Sequence, residues 1–190
     1  GTIIQPLIDL GVFTKEGKRW QSGDSDVRFT IQSISKVITL AVALEKCGFE
    51  KVFARVGMEP SGDAFNSLIK LDLTSDHPFN PMINSGAIAV TNYLVSLVNF
   101  EEMLDFTKIL CLDDKIVLDE KVYQSEMNHI SRNKAIAYLL ESKGILENSV
   151  EETIDFYVKM CSLSVTAASL AGFGLVLASD GIHPVTGKRL

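Results

Sequence analysis

Cysteine and histidine are scarce in this chain of 190 residues, and each shortage narrows the possible functions. The three cysteines are Cys47, Cys111 and Cys161, and their odd number and spacing fit neither a disulfide framework nor a zinc ribbon. Free, buried thiols in a reducing compartment are therefore expected, and with them a cytoplasmic location. The three histidines are scattered without an HExxH-type pair, so we expect no metal site and no other cofactor.

The chain also lacks an excess of positive charge. Its net charge is −6, and the charges are spread without a run of five of one sign. Binding to phosphates requires a basic face, and an anionic membrane surface does not attract an acidic protein. We therefore expect neither nucleic acid nor a membrane as a partner. The first residues, "GTIIQPLIDLG", also lack the basic flank and the cleavage site of a signal peptide.

Two segments without charge, 79–100 and 160–179, are long enough to be candidates for membrane spans. Four asparagines interrupt the first segment, and serine, threonine and glycine are frequent in the second. Helices buried at the centre of a globular helical domain are the better interpretation of both segments.

The hydrophobic pattern predicts a short β element followed by a large helical block. "LGVFTKEGKRWQSG" has the pattern of a β-hairpin, and "SISKVITLAVALEKCG" that of a helix ended by Gly48. "NSLIKLDL" predicts a strand or an extended link. After Pro81 the chain is predicted to be almost entirely helical, including "INSGAIAVTNYLVSLV", "SRNKAIAYLLES" and "SVEETIDFYVKMC". Since no linker or repeat is visible, we expect one α+β domain over residues 1–190.

The stretch "RFTIQSISKV" places Ser33 three residues before Lys36. On a helix these positions share one face, and the lysine side chain leans back toward the N-terminus, so the two groups can meet. Ser33 at the helix start would lie near free N–H groups that favour negative charge on oxygen. A lysine can activate a hydroxyl only after it loses its proton, which requires desolvation or a nearby cation.

The S-x-x-K spacing alone is weak evidence, because Ser67/Lys70 and Ser131/Lys134 share it. The alternative for each pair is a capping serine followed by a solvated lysine. Lys70 lies in a segment predicted to be extended, where the two side chains would point to opposite faces. Lys134 opens a helix with an exposed polar edge. Lys36 lies in a helix that is apolar nearly all round, which predicts burial and gives only its pair a physical reason to be reactive.

Several longer segments resemble the serine-dependent glutaminases: "GDSDVRFTIQSISKV", "HPFNPMINSGAI", "YQSEMNHISRNKAIAYLL" and "DFYVKMCSLSVTAASLAGFGLVLASDGIHPVTGKRL". The resemblance runs from about residue 11 to residue 190 in the family's order. It implies a β-lactamase/penicillin-binding-protein-like fold, with a large helical block packed on a short and here incomplete antiparallel sheet. It also implies hydrolysis of the side-chain amide of L-glutamine to L-glutamate and ammonia through a serine acyl-enzyme, in glutamate biosynthesis, by a homo-oligomer (dimer or tetramer).

The resemblance implies that Ser33 is the nucleophile and Lys36 its general base. It places Ser33, Asn84, Glu126, Asn133 and Tyr157 on the substrate. This set suits free glutamine, because the carboxylate can pair with an ammonium, the amides can donate to a carboxylate and the phenol adds a hydroxyl. Each residue alone also has a structural interpretation as a cap, a surface carboxylate or a core side chain. The assembled pattern, with Ser131 as a weaker addition, favours the site.

The chain departs from the family pattern at both ends. "TIIQPLI" contains no tyrosine where glutaminases carry one, and family members continue past Leu190 to supply a catalytic tyrosine, further strands and an oxyanion donor. An oxyanion donor lowers the barrier by about 3–4 kcal/mol. We therefore expect a domain truncated or incompletely represented at both ends, and little activity from these 190 residues alone. The alternatives are a penicillin-recognising serine hydrolase or peptidase and a non-catalytic amino-acid-binding domain.

Overall fold

The computed structural model describes residues 8–64, 67, 76–184 and 186–189. The predicted extended segment "NSLIKLDL" lies outside the described residues except for Ser67. The strands are β1 (Asp9–Phe13), β2 (Arg19–Gly23), β3 (Phe29–Thr30), β4 (Val117–Leu118) and β5 (Leu163–Val165). The α-helices are α1 (Ser35–Cys47), α2 (Phe49–Phe53), α3 (Asn84–Leu94), α4 (Phe100–Cys111), α5 (Glu120–Asn128), α6 (Ser131–Ser142), α7 (Val150–Cys161) and α8 (Ala167–Ala178). A single 3-10 turn, Gln32–Ile34, precedes α1.

Backbone contacts divide the chain into two compact units, each made of separate segments. Unit 1 contains Gly1–Thr30, Leu104–Val117 and Ser164–Leu190. Unit 2 contains Ile31–Met103 and Leu118–Leu163. The single domain predicted from the sequence stays a prediction. All six residues that the sequence predicts at the site lie in unit 2.

The predicted hairpin is confirmed in unit 1. β1 and β2 pair antiparallel, with a register that runs from Asp9 opposite Gly23 to Phe13 opposite Arg19. The Gly17 N–H donates to the Thr14 carbonyl at 2.9 Å and closes the turn. Gly17 has a φ of 81°, a left-handed conformation that glycine adopts without steric cost.

Side-chain hydrogen bonds fix the start of α8, also in unit 1. Thr166 and Ser169 form a reciprocal capping box, in which each side chain bonds the other's backbone N–H. The Ser169 hydroxyl also donates to Asp113 at 2.6 Å, and Arg28 pairs with the same carboxylate at 3.0 Å. The helix therefore begins where its orphan N–H groups find partners.

Two short strands correct the prediction of an almost entirely helical chain after Pro81. β4 and β5 join β3 in a small sheet with the order β3-β5-β4, and Phe29 and Thr30 pair antiparallel with Val165 and Ser164. Strands of two or three residues are too short to show an alternating pattern in the sequence. Many helices together with small antiparallel sheets confirm the α+β class.

Helix α3 is the central helix of unit 2. Its residues from Ser85 to Leu94 are all buried, and it packs against α1, α6 and α7. Asn92 is fully buried, and its side chain bonds the backbone of Glu147 and Asn148 and the Thr153 hydroxyl. Within segment 79–100 the expected buried helix is present over Asn84–Leu94. Over the described ranges, every helix is too short or too polar to cross a membrane.

Candidate active site

The Ser33 side chain is presented on a tight turn that precedes α1. Ile31 is buried, and its N–H donates to the Leu163 carbonyl at 2.8 Å. Gln32 follows with a φ of 50°, in the left-handed region that few residues other than glycine adopt. Ser33 itself is exposed. The α-helix begins at Ser35, so Ser33 lies in the 3-10 turn rather than in the first α-helical turn that the sequence predicts.

Lys36 is buried beside this hydroxyl. Its exposed fraction is 4%, and its Nζ lies 3.1 Å from Ser33 Oγ and 2.8 Å from Asn84 Oδ1. Burial lowers the pKa of the Lys36 ammonium, and the Cys161 thiol opposes this shift through its negative form. The geometry therefore combines an accessible hydroxyl with an amine that loses its proton more easily than a lysine in water.

Of the lysines in the other two S-x-x-K pairs, Lys134 lies within the described residues, and its environment differs from that of Lys36. Lys134 Nζ donates to Glu151 at 2.7 Å, and this hydrogen bond raises the pKa of the lysine. Its partner Ser131 is exposed at the start of α6. Lys70 lies outside the described residues. Lys134 is therefore stabilised in the charged form, which is opposite to what a general base requires.

Asn84 is held in place by the local sequence "NPMINSG". The Asn80 side chain accepts hydrogen bonds from the N–H groups of Met82 and Ile83 at 2.9 and 3.3 Å. A Cβ atom at Gly86 would lie 1.8 Å from the Asn80 carbonyl oxygen, so only glycine allows the helix to pass this close. These contacts fix the first turn of α3, which begins with Asn84.

Asn133 completes a chain of hydrogen bonds that leads to the serine. Asn84 Nδ2 donates to Asn133 Oδ1 at 3.2 Å, which leaves Asn84 Oδ1 to accept from Lys36. Asn133 lies in the first turn of α6 and is half-buried. Four of the predicted site residues are thus joined in the order Asn133, Asn84, Lys36, Ser33.

The other two predicted residues lie around Cys161. Tyr157 is buried one turn before Cys161 on α7. Burial raises the pKa of both groups, and the nearby carboxylate of Glu126 adds to each shift. Glu126 is itself an exposed residue near the end of α5. Its charge therefore acts on this buried pair from a position that solvent can reach.

Three residues beside the nucleophile were not predicted from the sequence. The Ser35 hydroxyl donates to the Gln32 carbonyl at 2.7 Å and lies 3.6 Å from Cys161 Sγ. Cys161 follows Tyr157 by four positions, a helical spacing that could have indicated their contact. The left-handed conformation of Gln32 has no sequence signal, because glycine and asparagine are the residues typical of that region.

A model of the Glutaminase family matches residues 6–190. The chain belongs to the glutaminase family. Glutaminase 2 of Clostridium perfringens is 46% identical over 188 residues, which are 96% of this chain and 62% of that protein. The chain therefore spans less than two thirds of the length of this curated relative.

Solved structures share the fold of this chain. The crystal structure of a probable glutaminase from Bacillus subtilis matches with a TM-score of 0.89 and 38% identity, over 96% of this chain and 60% of that one. The structure of Mglu in its glutamate form matches with a TM-score of 0.85 and 41% identity, over 95% of this chain and 42% of that one. The chain therefore has the α+β fold of a glutaminase.

Proposed function

We propose that the protein hydrolyses the side-chain amide of L-glutamine to L-glutamate and ammonia, with Ser33 as the nucleophile and Lys36 as its base. The observation that carries this proposal is the buried Lys36 Nζ at 3.1 Å from the oxygen of an exposed serine. Membership of the glutaminase family supports the choice of an amide substrate.

Acylation begins when Ser33 Oγ attacks the side-chain amide carbon and its proton passes to the neutral Lys36 amine. The resulting ammonium then gives that proton to the amide nitrogen, and the carbon–nitrogen bond breaks to release ammonia. An ester between the glutamyl group and Ser33 remains. In the second half, water attacks this ester and gives a proton to Lys36, which returns it to Ser33 Oγ as glutamate leaves.

Asn84 orients the base. A neutral amine has two hydrogens and one lone pair. A bond to Asn84 Oδ1 at 2.8 Å occupies one hydrogen, and the lone pair can then face the Ser33 hydroxyl. Because Asn133 accepts from Asn84 Nδ2, the amide of Asn84 cannot rotate without losing a hydrogen bond. The two asparagines therefore hold Lys36 in the geometry that proton transfer requires.

The polar and charged groups of the predicted site suit an amino acid substrate. Glu126 can pair with the α-ammonium group, and its charge contributes to the raised pKa values of Tyr157 and Cys161. The N–H groups of Asn84 and Asn133 can donate to the α-carboxylate, and Tyr157 provides a hydroxyl on an aromatic wall. A related protein, Mglu, has been crystallised in a glutamate form, which is the product proposed here.

The proposal includes a cytoplasmic location and a homo-oligomeric state, with no nucleic acid or membrane as partner. The three described cysteines are free, which suits a reducing compartment. The net charge of −6 supports the absence of nucleic acid. The oligomeric state rests on the family resemblance, and light scattering from the purified full-length protein measures it directly. A monomer at micromolar concentration would contradict it.

The test of function is glutamine-dependent ammonia release by the full-length protein. We expect Ser33→Ala and Lys36→Ala each to lower kcat/KM by about 10³-fold or more, because each removes one half of the nucleophile–base pair. Lys134→Ala is the matched control, since it removes the lysine of another S-x-x-K pair, and it should retain activity. Near-normal turnover in either site variant would reject the mechanism.

Two further measurements separate the alternative functions. Incubation with a penicillin followed by mass spectrometry detects a covalent adduct on Ser33, which would favour a penicillin-recognising enzyme. Calorimetry detects glutamine binding. Binding without ammonia release from the full-length protein would favour a non-catalytic amino-acid-binding domain.

A further inference from the structure

The turn that presents Ser33 carries backbone strain at Gln32. A φ of 50° at a non-glycine residue is unfavourable, by about 1–3 kcal/mol for such sparsely populated conformations, and persists only where neighbouring contacts enforce it. Ile31 is fixed on one side by burial and by its hydrogen bond to Leu163. On the C-terminal side of Gln32, a second contact is needed to hold its carbonyl group in the position that the left-handed conformation imposes.

Ser35 makes that contact twice. Its backbone N–H bonds the carbonyl oxygens of Gln32 and Ser33, and its hydroxyl donates to the Gln32 oxygen at 2.7 Å. Ser35 is buried, with an exposed fraction of 2%. Water therefore cannot easily replace the hydroxyl if the side chain is removed.

Cys161 holds the Ser35 hydroxyl in its orientation. A carbonyl can only accept, so the single hydroxyl proton of Ser35 is directed to Gln32. At the 3.6 Å contact with Cys161, the Ser35 oxygen must then accept from the thiol. The donors therefore run in one direction, from Cys161 to Ser35 and from Ser35 to the Gln32 carbonyl.

We infer that Ser35 and Cys161 are positioning residues for the proposed amide hydrolysis: they hold the strained Gln32 turn that sets the Ser33 hydroxyl beside Lys36. This inference rests on the proposed function. Neither side chain needs to touch the substrate, because the effect passes through the Gln32 carbonyl to the adjacent Ser33.

This arrangement predicts a loss of rate rather than of affinity. Without the Ser35 hydroxyl, the turn can relax toward an ordinary conformation, and Ser33 Oγ moves away from Lys36 Nζ. Displacements of about 1 Å at a reacting atom cost up to about 100-fold in rate. Asn84, Asn133 and Glu126 lie on other helices, so their geometry for binding the substrate is expected to persist.

The experiment compares Ser35→Ala with Ser162→Ala in the full-length protein. Ser162 is also fully buried, but its hydroxyl has no hydrogen-bond partner in the described part of the chain. We expect Ser35→Ala to lower kcat for glutamine by about 10–100-fold with KM within about twofold of wild type. Ser162→Ala should leave both constants near wild type. Thermal unfolding of both variants checks that they fold.

Cys161 provides a test by conservative replacement. Cys161→Ala removes the donor to Ser35 and is expected to lower kcat in the same direction as Ser35→Ala. Cys161→Ser keeps a donor and an acceptor and should restore kcat to within about threefold of wild type. Cys111→Ala, a buried thiol elsewhere in the chain, is the control for loss of a sulfur and should leave kcat unchanged.

The outcomes separate the inference from the function on which it rests. Equal kcat values for Ser35→Ala and Ser162→Ala in an active enzyme would overturn the inference alone. So would a Cys161→Ser variant that is as slow as Cys161→Ala while both remain folded. A wild-type protein that releases no ammonia from glutamine would overturn the proposed function, and the inference with it.

Discussion

Lys36 has a side chain that water keeps protonated, and the fold removes most of that water. The 4% exposure and the resulting downward shift of its pKa make the neutral amine more abundant at neutral pH than it would be in an exposed lysine. Activity that depends on the neutral amine must rise with pH through the lowered pKa. In a plot of kcat/KM against pH, the rising limb should therefore lie below pH 10.5, which is the ordinary pKa of lysine.

Changing Asn84 to aspartate tests this electrostatic argument directly. Asn84→Asp places a carboxylate oxygen where Asn84 Oδ1 now lies, 2.8 Å from Lys36 Nζ. An adjacent negative charge favours the ammonium, so the pKa of Lys36 rises and the neutral base becomes scarcer. We expect the rising limb of kcat/KM to move to higher pH by about one unit or more, with a lower rate at pH 7. Steady-state kinetics across pH measures both effects.

Asn99→Asp is the matched control for this change. Asn99 is exposed and caps the start of α4 by accepting from the Glu102 N–H at 2.9 Å, a role that aspartate performs equally well. The rising limb should stay at its wild-type position in this variant. If Asn84→Asp also left the limb in place, the titrating group would be something other than Lys36.

Helix α5 begins at a side-chain cap, Asp119. The Asp119 carboxylate accepts from the N–H groups of Lys121 and Val122 at 3.1 and 3.0 Å. We expect Asp119→Ala to lower the free energy of unfolding by about 1 kcal/mol, and to raise KM because α5 carries Glu126. Asp119→Asn keeps the cap and should behave as wild type in thermal unfolding. A fully stable Asp119→Ala variant with unchanged KM would contradict the role of the cap.

The sequence predicted the elements with strong helical patterns well. The predicted helix "SRNKAIAYLLES" coincides with α6, and Ser149 caps α7 by accepting from the Glu152 N–H. α5 has no buried residue, and the sequence indicated it only as part of the broadly helical region after Pro81. The 3-10 turn at Ser33 was not predicted. Its geometry depends on the contacts of Ser35 with Cys161, 126 positions later in the sequence, which no local pattern contains.

At the scale of the whole chain, the family pattern carried more information than any local signal. Asn84 and Asn133 are 49 positions apart and have separate structural interpretations as isolated residues. Only the family motif indicated that they act together, and the structure joins them in one hydrogen-bonded chain with Lys36. Residue patterns cannot show such a chain, since it requires the packing of α3 against both α1 and α6. The catalytic roles of these residues stay predictions that kinetics must test.

The burial of Lys36 should also make the stability of the folded protein depend on pH. Between the lowered pKa and the ordinary value of 10.5, the unfolded chain binds a proton at Lys36 that the folded chain does not. Unfolding is therefore favoured as pH falls through this window, and the contribution of Lys36 to stability rises with pH. In Lys36→Met this dependence is absent. We expect the Tm of wild type minus that of Lys36→Met to increase as the pH rises through this window toward 10.5.

Lys134→Met is the control that shows whether burial of Lys36 causes this pH dependence of the Tm difference. Its hydrogen bond to Glu151 raises the pKa of Lys134, so folded and unfolded chains both hold that proton below the ordinary value. The contribution of Lys134 is then constant over the same pH range and is lost only at higher pH, as the pH passes through the raised pKa. The Tm of wild type minus that of Lys134→Met should therefore stay constant over the pH range in which the difference for Lys36→Met increases. Parallel curves for the two variants would show that Lys36 titrates as an ordinary lysine, and the proposed base would lose its physical justification.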